Sequence, residues 1–286
     1  MALPAPAYTA YVPVFNQAAT LGETLDSLRR QTVPPAQLLV IDDASTDASA
    51  SVAERAGAGV LRQPVNLGRG AARALALQES LHPYVLCCDA TNRLAPDFAE
   101  RGLAHLARHV RLASVMGRLT QLPPRTLAHR WRGRHLFLGR AGPLETSAPH
   151  ATWATFVRRD AVLAVGNYRA DLPAHEDDDL GQRLAAGNWD LWCDPAMVAE
   201  CVVDNTLRQV LRRYARWYEP RGRGWTLRDY PHNLRLAAKV LVPKDLAEGD
   251  WAAALVSLLL PHYLLGCRRT HPWDPRPVSS AKASAS

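Results

Sequence analysis

Three groups of acidic residues stand at strand or helix ends, where crowded carboxylates are an awkward choice for stability alone. Asp42-Asp43 closes the run Gln37–Ile41, Asp89 closes the run Tyr84–Cys88, and Glu176-Asp177-Asp178-Asp179 opens a helical pattern. Adjacent carboxylates repel one another, and partial burial raises the cost of ionising them. Asp42 and Asp43 have the chemistry to accept hydrogen bonds from a base or a sugar, and equally to serve a turn and an N-cap. Asp47 reads more simply, as a first-turn acid favoured by a helix dipole. In the third group, Asp179 is placed to pair with Arg183 at i,i+4, and a helix start tolerates negative charge. Four acids in a row in a chain of net charge +7 exceed what those two effects require.

The elements that must position these acids alternate. Apolar runs at Tyr8–Phe15, Gln37–Ile41, Gly59–Leu61 and Tyr84–Cys88 read as strands, and Thr20–Arg30, Thr46–Ala56 and Arg69–Leu81 read as helices. Leu21, Leu25 and Leu28 share one helical face, and Thr20 with Glu23 has the capping-box pattern. Such repetition predicts right-handed crossovers and a mainly parallel sheet, with ligands at the carboxyl ends of its strands. After Asn92 the reading is a helix over Pro96–Arg108, a strand over Leu112–Leu119 and an arginine-rich loop over Thr120–Pro149. Helices over Val157–Val165 and Asp177–Ala186 and a short strand over Asn188–Cys193 follow. Residues 278–286 read as a disordered tail.

Composition narrows the classes. Apolar residues are 48% of 286 and charged residues 21%, which supports a sizeable core and excludes wholesale disorder. All but Lys239, Lys244 and Lys282 of the 34 basic residues are arginine, so the surplus favours an anionic partner with phosphate chemistry. No nucleic-acid-binding signature accompanies it, and nucleic acid is not expected as a partner. Nor is there a G-x-S-x-G elbow, a P-loop or a G-x-G-x-x-G turn after a strand. Five cysteines without C-x-x-C spacing read as buried thiols, against a disulfide scaffold or a zinc site. The first residues lack a secretory pattern, so a cytoplasmic location is expected.

Six segments in order carry a resemblance. They are Tyr11-Val12-Pro13-Val14-Phe15-Asn16, Asp42-Asp43-Ala44-Ser45-Thr46-Asp47, Asn66-Leu67-Gly68-Arg69-Gly70-Ala71-Ala72-Arg73, and Asp89 after its strand. Phe156-Val157-Arg158-Arg159 with Val165-Gly166, and Glu176-Asp177-Asp178-Asp179-Leu180 with Arg183 and Gly187, complete the set. From about Ala7 to Trp217 the chain resembles glycosyltransferase family 2. The resemblance implies a GT-A fold, α/β with a Rossmann-like, mainly parallel sheet flanked by helices. It also implies inverting transfer of a sugar from a nucleoside diphosphate (UDP or another) to a hydroxyl of a glycan or a lipid-linked acceptor.

By that resemblance Pro13, Val14 and Phe15 line the nucleoside pocket, and Asp42, with Asp43, accepts from the donor base. Backbone N–H groups of the Gly68-Arg69-Gly70 turn are suited to approach anionic oxygens. Arg69 is carried over as a donor-binding residue; it and Arg73 read equally as solvated helix charges. Asp177 matches the general base, which takes the proton of the attacking hydroxyl, with Glu176 near the diphosphate or acceptor. Where the family has Asp-x-Asp, whose second acid binds Mn²⁺ or Mg²⁺, this chain has Asp89-Ala90-Thr91. A hydroxyl is a far weaker ligand for a hard cation than a carboxylate. That leaves open a cation held by Asp89 alone, arginines in place of a metal, or a GT-A-fold protein that binds a nucleotide or sugar without turnover.

Arg213-Tyr214-Ala215-Arg216-Trp217 resembles the motif of processive members, with Arg213 and Arg216 suited to the diphosphate and Trp217 to stacking a sugar. The array of membrane spans that accompanies processivity is not seen, so transfer of one sugar at a time is expected. Trp153 reads either as an acceptor contact or as a core residue. Trp251–Cys267 is uncharged but short for a span, and with Arg268 and Arg269 it suggests peripheral contact of residues 251–269 with the inner face of a membrane. The expected organisation is a transferase domain over 1–217, with a nucleotide half over 7–92 and an acceptor half over 93–217. A helical extension over 218–277 follows.

Overall fold

The computed structural model describes residues 6–121, 123–137, 142–172, 175–219 and 224–267. They fall into two compact units, the first ending at Asn205 and the second beginning at Thr206. The disordered tail expected over 278–286 lies outside the described residues.

In the first unit the strands are β1 (Tyr8–Val14), β2 (Gln37–Asp42), β3 (Gly59–Arg62), β4 (Tyr84–Cys88), β5 (Asn92–Leu94), β6 (Leu112–Thr120), β7 (Ala154–Arg158) and β8 (Asp190–Cys201). The helices are α1 (Ala18–Arg29), α2 (Ser49–Arg55), α3 (Arg69–Glu79), α4 (Phe98–Arg108), α5 (Leu127–His135), α6 (Arg159–Ala164) and α7 (Glu176–Ala186). One sheet takes all eight strands in the order β3-β2-β1-β4-β7-β6-β8-β5. The β3-β2-β1-β4 half is parallel, as the alternating pattern predicts. The other half is mixed, because β7 runs against both β4 and β6, and β5 runs against β8. The chain leaves β1 towards β2 and returns on its other side as β4. That switch opens a crevice at the carboxyl ends of β1 and β4.

Side chains alternate across the sheet with a period of two. Tyr11, Leu39, Ile41, Val85 and Cys87 share one face with Leu77 of α3, Val162 of α6 and Leu180 and Leu184 of α7, all buried. Val12, Val40 and Leu86 are equally buried, so the central strands are covered on both sides and read as continuous apolar runs.

Four local expectations are corrected. Helix α1 begins at Ala18, and Thr20 lies inside it, donating from Oγ1 to the Ala90 carbonyl at 2.7 Å. Its partner in the expected box, Glu23, pairs instead with Arg93 at 2.9 Å. The expected loop over 120–149 contains α5, capped by the Thr126 side chain. Its Arg132 is fully buried, donating to Gln121 Oε1 and the Val203 carbonyl, so an arginine-rich stretch that reads as solvated is partly interior. Val157 and Arg158 belong to strand β7, and the helix starts only at Arg159. Strand β8 runs on to Cys201, because its second half finds β5 as a partner.

The second unit contains α8 (Leu207–Trp217), α9 (Tyr230–Leu236), a π-turn over Ala237–Leu241, α10 (Val242–Ala247) and α11 (Trp251–Gly266). Helix α8 carries a complete capping box between Thr206 and Gln209.

Candidate active site

The loops after β1 and β2 are stitched together. Asn16 adopts φ 53°, and its Oδ1 accepts from the Thr46 N–H at 2.8 Å. In return, Ser45 Oγ accepts from the Asn16 N–H and Ser49 Oγ from the Gln17 N–H, both at 3.0 Å. Asp47 accepts from the N–H of Ala18 and of Ser49, at 3.0 and 2.9 Å. The small polar residues after Asp43 therefore satisfy the start of α1 as well as α2, a wider role than a first-turn acid has.

The two acids at the end of β2 have separate jobs. Asp43 holds the loop before α3: Oδ1 accepts from the Leu67 N–H at 2.7 Å and from Gln63 Nε2 at 2.9 Å, and Oδ2 from the Gly68 N–H at 2.9 Å. Burial pushes its carboxyl up from the ordinary range, the two backbone N–H groups draw it down, and Asp42 adds to the rise. The anion at the Leu67-Gly68 amides is thus the chain's own Asp43. Gly68 sits at φ 88°, a region costly for any residue with a Cβ. Asp42 is fully buried. Its Oδ1 accepts from the Ser45 N–H at 2.9 Å, whereas Oδ2 lacks a hydrogen-bond partner and lies 3.5 Å from Arg62 Nε. Of the three residues at the end of β1, Phe15 is exposed, Pro13 is half-buried and the Val14 side chain is buried.

Arg73 joins the remaining acids. It is 1% exposed, not a solvated helix charge. Its Nε donates to Glu176 Oε1 at 3.2 Å, Nη2 to Asp89 Oδ1 at 3.3 Å and Nη1 to Cys87 Sγ at 2.6 Å. The Cys87 thiol in turn donates to the Thr152 carbonyl at 3.2 Å. Burial works against the Arg73 cation, but the surrounding Cys87, Tyr11, Asp89 and Glu176 outweigh it and keep it charged. Arg69, one turn earlier on α3 and half-exposed, stands 3.6 Å from the same Glu176 oxygen. Asp89 keeps 39% of its side chain exposed. Its enclosure pushes the carboxyl up, Arg73 and Arg69 pull it back, and Glu176 adds to the push.

The four acids that open α7 separate by direction. Glu176 is completely buried on the arginines, with Oε2 unpartnered. Asp178 accepts from Gln182 Nε2 at 2.9 Å, and Asp179 pairs with Arg183 at 2.6 Å as the i,i+4 spacing predicts. Asp177 is half-buried and, among the described residues, accepts only from the N–H of its neighbour Asp178, at 3.0 Å. Helix α3 reaches this region because position 70 is glycine: a Cβ there would lie 2.3 Å from the Arg169 carbonyl oxygen.

A divalent cation here would have Asp89 as its protein carboxylate, with the diphosphate of a donor supplying further oxygens. Asp89 is a single carboxylate already matched to a guanidinium, and Thr91 is beside it in place of an acid. Among the described residues, no three His, Cys, Asp or Glu side chains converge to hold a metal ion. Trp153 is half-buried, with its indole N–H on the Gly117 carbonyl at 2.8 Å. Its own carbonyl accepts from the Asp89 N–H and from Asn92 Nδ2. A groove of about 490 Å³ between α1, β5 and β8, lined by Glu23, Asp26, Arg93 and Glu200, contains none of the expected site residues.

The sequence profile described as glycosyl transferase family 2 matches residues 9–165, just over half of the chain. The chain belongs to glycosyl transferase family 2. The matched segment spans β1 to α6 and ends before the acids of α7. EpsH of Bacillus subtilis (strain 168), which bears the name of a glycosyltransferase, is 29% identical over 102 residues, 34% of this family 2 chain and 30% of EpsH. The architecture is similar to S. aureus TarS 1–349 in complex with UDP-GlcNAc, with a TM-score of 0.58, 15% identity and 93% of each chain covered. The chain spans 55% of a longer TarS structure. It is also similar to the mannosyltransferase PcManGT of Pyrobaculum calidifontis in complex with GDP-Man and Mn²⁺, with a TM-score of 0.58 and 19% identity over 92% of this chain and 74% of that one. The fold is therefore GT-A, as the resemblance implies.

Arg73 and Cys87, joined to Asp89 and Glu176, are the residues that motif reading missed as a connected group. One signal in the sequence was the spacing of Arg73, three residues before the buried Ala76 and four before the buried Leu77 of α3. Arg213, Arg216 and Trp217 stand on α8 of the second unit, where the Arg213 guanidinium lies 5.8 Å from the Trp217 ring centre.

Proposed function

We propose that the protein moves one sugar at a time from a nucleoside diphosphate donor to a hydroxyl acceptor, with inversion at the anomeric carbon. The observation that carries this reading is the charge relay at the carboxyl end of β4. Asp89, Arg73, Glu176 and Arg69 are bound to one another, and Asp177 stands next in the chain as a half-buried acid that, among the described residues, has no cation or side-chain donor. The base of the donor is assigned to the ends of β1 and β2, against the exposed Phe15, with the buried Asp42, 3.5 Å from Arg62 Nε, holding the end of β2 in place.

In this reading Asp177 takes the proton of the acceptor hydroxyl as its oxygen bonds to the anomeric carbon. The bond from that carbon to the diphosphate breaks, and its electron pair leaves with the nucleoside diphosphate. Arg69 faces the charge that develops on the leaving group, the kind of preorganised stabilisation that lowers a barrier. Arg73 is too deeply buried to touch the donor and holds Asp89 and Glu176 in place. No step is routed through a cation.

The test is transfer and donor hydrolysis measured over a panel of nucleotide sugars and hydroxyl acceptors, with Asp177→Asn beside the parent. The variant is expected to lose about a hundredfold or more in kcat while donor affinity and melting stay unchanged. Undiminished transfer by Asp177→Asn would remove Asp177 from the base role. Binding without turnover across the whole panel would instead favour a nucleotide- or sugar-binding protein.

A further inference from the structure

Helix α11 is apolar around its whole circumference, yet only one side of it is covered. Ala253, Ala254, Ser257, Leu260, Pro261 and Leu264 face inward, while Trp251, Leu255, Leu258 and Leu259 are 77%, 56%, 48% and 52% exposed. Those four stand at i, i+4, i+7 and i+8, a continuous outward stripe about 12 Å long at 1.5 Å per residue. Single exposed leucines are ordinary, but a stripe led by tryptophan on an uncharged helix marks a surface that something covers. Sixteen residues make a helix of about 24 Å, short of the ~30 Å hydrocarbon core. Among the described residues no helix is long and apolar enough to cross a membrane.

The charge of the chain identifies the occupant. Residues 1–205 carry 20 basic and 21 acidic side chains, residues 206–286 carry 14 and 6, so the units have net charges of −1 and +8. The whole cationic surplus therefore belongs to the unit that displays the apolar stripe. Arg235, Lys239 and Lys244, on the helices packed against α11, are exposed. Arg208 and Arg212 of α8 are exposed as well and act electrostatically on Tyr263 near the end of α11. Of the acids on or beside these helices, Asp245 is fully buried on Ser257 Oγ at 2.6 Å and Asp250 caps α11 at the Ala253 N–H, while Glu248 is exposed and leaves the cations in excess. An exposed apolar face beside a surface with a net cationic excess is the combination that seats a helix in the interface of an anionic bilayer.

We propose that α11 lies in the plane of an anionic lipid bilayer, with Trp251, Leu255, Leu258 and Leu259 at the boundary of headgroups and acyl chains and the cations of the second unit against the lipid charge. The inference goes beyond the transfer reaction and is read without any sugar donor. Its test is flotation of the full-length protein with vesicles of phosphatidylcholine alone and of phosphatidylcholine mixed with phosphatidylglycerol. The protein is expected to bind the mixed vesicles about tenfold or more tightly, with binding weakened by salt. Leu255→Gln with Leu259→Gln is expected to abolish flotation with melting unchanged, and Lys239→Glu with Lys244→Glu to remove the preference for the anionic lipid. As an independent reading, brominated lipid is expected to quench the parent and to quench Trp251→Phe distinctly less. Absence of binding to the mixed vesicles, or binding indifferent to the leucine pair, would overturn the proposal. So would a solution dimer that the leucine pair dissociates, since the stripe would then belong to a second copy of the chain.

Discussion

Arg73 Nε lies 3.2 Å from Glu176 Oε1, and the two side chains, 103 positions apart in sequence, are 1% and 0% exposed. A pair so deep is no ornament of the surface: it ties α3 to the first residue of α7 and so fixes where Asp177 begins. Removing one member leaves the other charge buried and unmatched. Arg73→Ala is therefore expected to lose about 3 kcal/mol or more of stability, read by urea unfolding. Arg73→Met combined with Glu176→Gln is expected to lose clearly less than the two single losses together, because neither charge is then stranded.

Arg69 is assigned the leaving-group charge, so Arg69→Ala is expected to weaken nucleoside diphosphate binding about tenfold, as loss of a contact to a charged group does. Chelator or added Mn²⁺ is expected to change the same affinity by no more than about threefold, given one carboxylate already facing Arg73. Calorimetric titration measures both. A large gain with Mn²⁺ would return the charge to a cation.

Gly70→Ala places a methyl group 2.3 Å from the Arg169 carbonyl oxygen and 2.9 Å from that of Leu172. Neither is the end of a flexible side chain, so the strain falls on the backbone that leads towards α7. A loss of about 1–3 kcal/mol is expected in thermal or urea unfolding.

His150 is buried between Ser114 Oγ, 2.9 Å from its Nδ1, and the Tyr168 hydroxyl, 3.3 Å from its Nε2. Burial, with repulsion from Arg73, holds its pKa down at about 3, against a smaller opposite pull from Glu176. The unfolded chain therefore binds this proton from about pH 6.5 downwards, while the folded chain refuses it. Stability attributable to the neutral ring is complete above that pH and is lost as pH falls towards 3, by about 2 kcal/mol between pH 7 and 5. His150→Gln is expected to flatten this part of the acid limb in urea unfolding measured at both pH values.

The parallel half of the fold was legible because Tyr8–Val14, Gln37–Asp42 and Tyr84–Cys88 are apolar runs separated by helical patterns of ordinary length. Strand β5, three residues long, is too short to display alternation, and β7 was hidden because Val157 and Arg158 run directly into α6 with no turn residue between them. In the candidate site the acids announced themselves, but their division of labour did not. Asp42 and Asp43 are chemically identical in sequence, and only the position of the Leu67-Gly68 amides makes one a loop anchor. Arg73 was misread for the opposite reason: a cation on a helix looks solvated until the acids that surround it, Asp89 and Glu176, arrive from distant parts of the chain.

The clasp of Asp43 on the Leu67 and Gly68 amides, with Gln63 as a third donor, gives the approach to α3 its shape before any donor arrives. A loop ordered in advance surrenders little conformational freedom when a ligand docks beside it, so association at this crevice carries a smaller entropic penalty than a mobile phosphate loop would impose. The chain has supplied its own tethered anion where other nucleotide sites wait for a phosphate, and a tethered group cannot be diluted away.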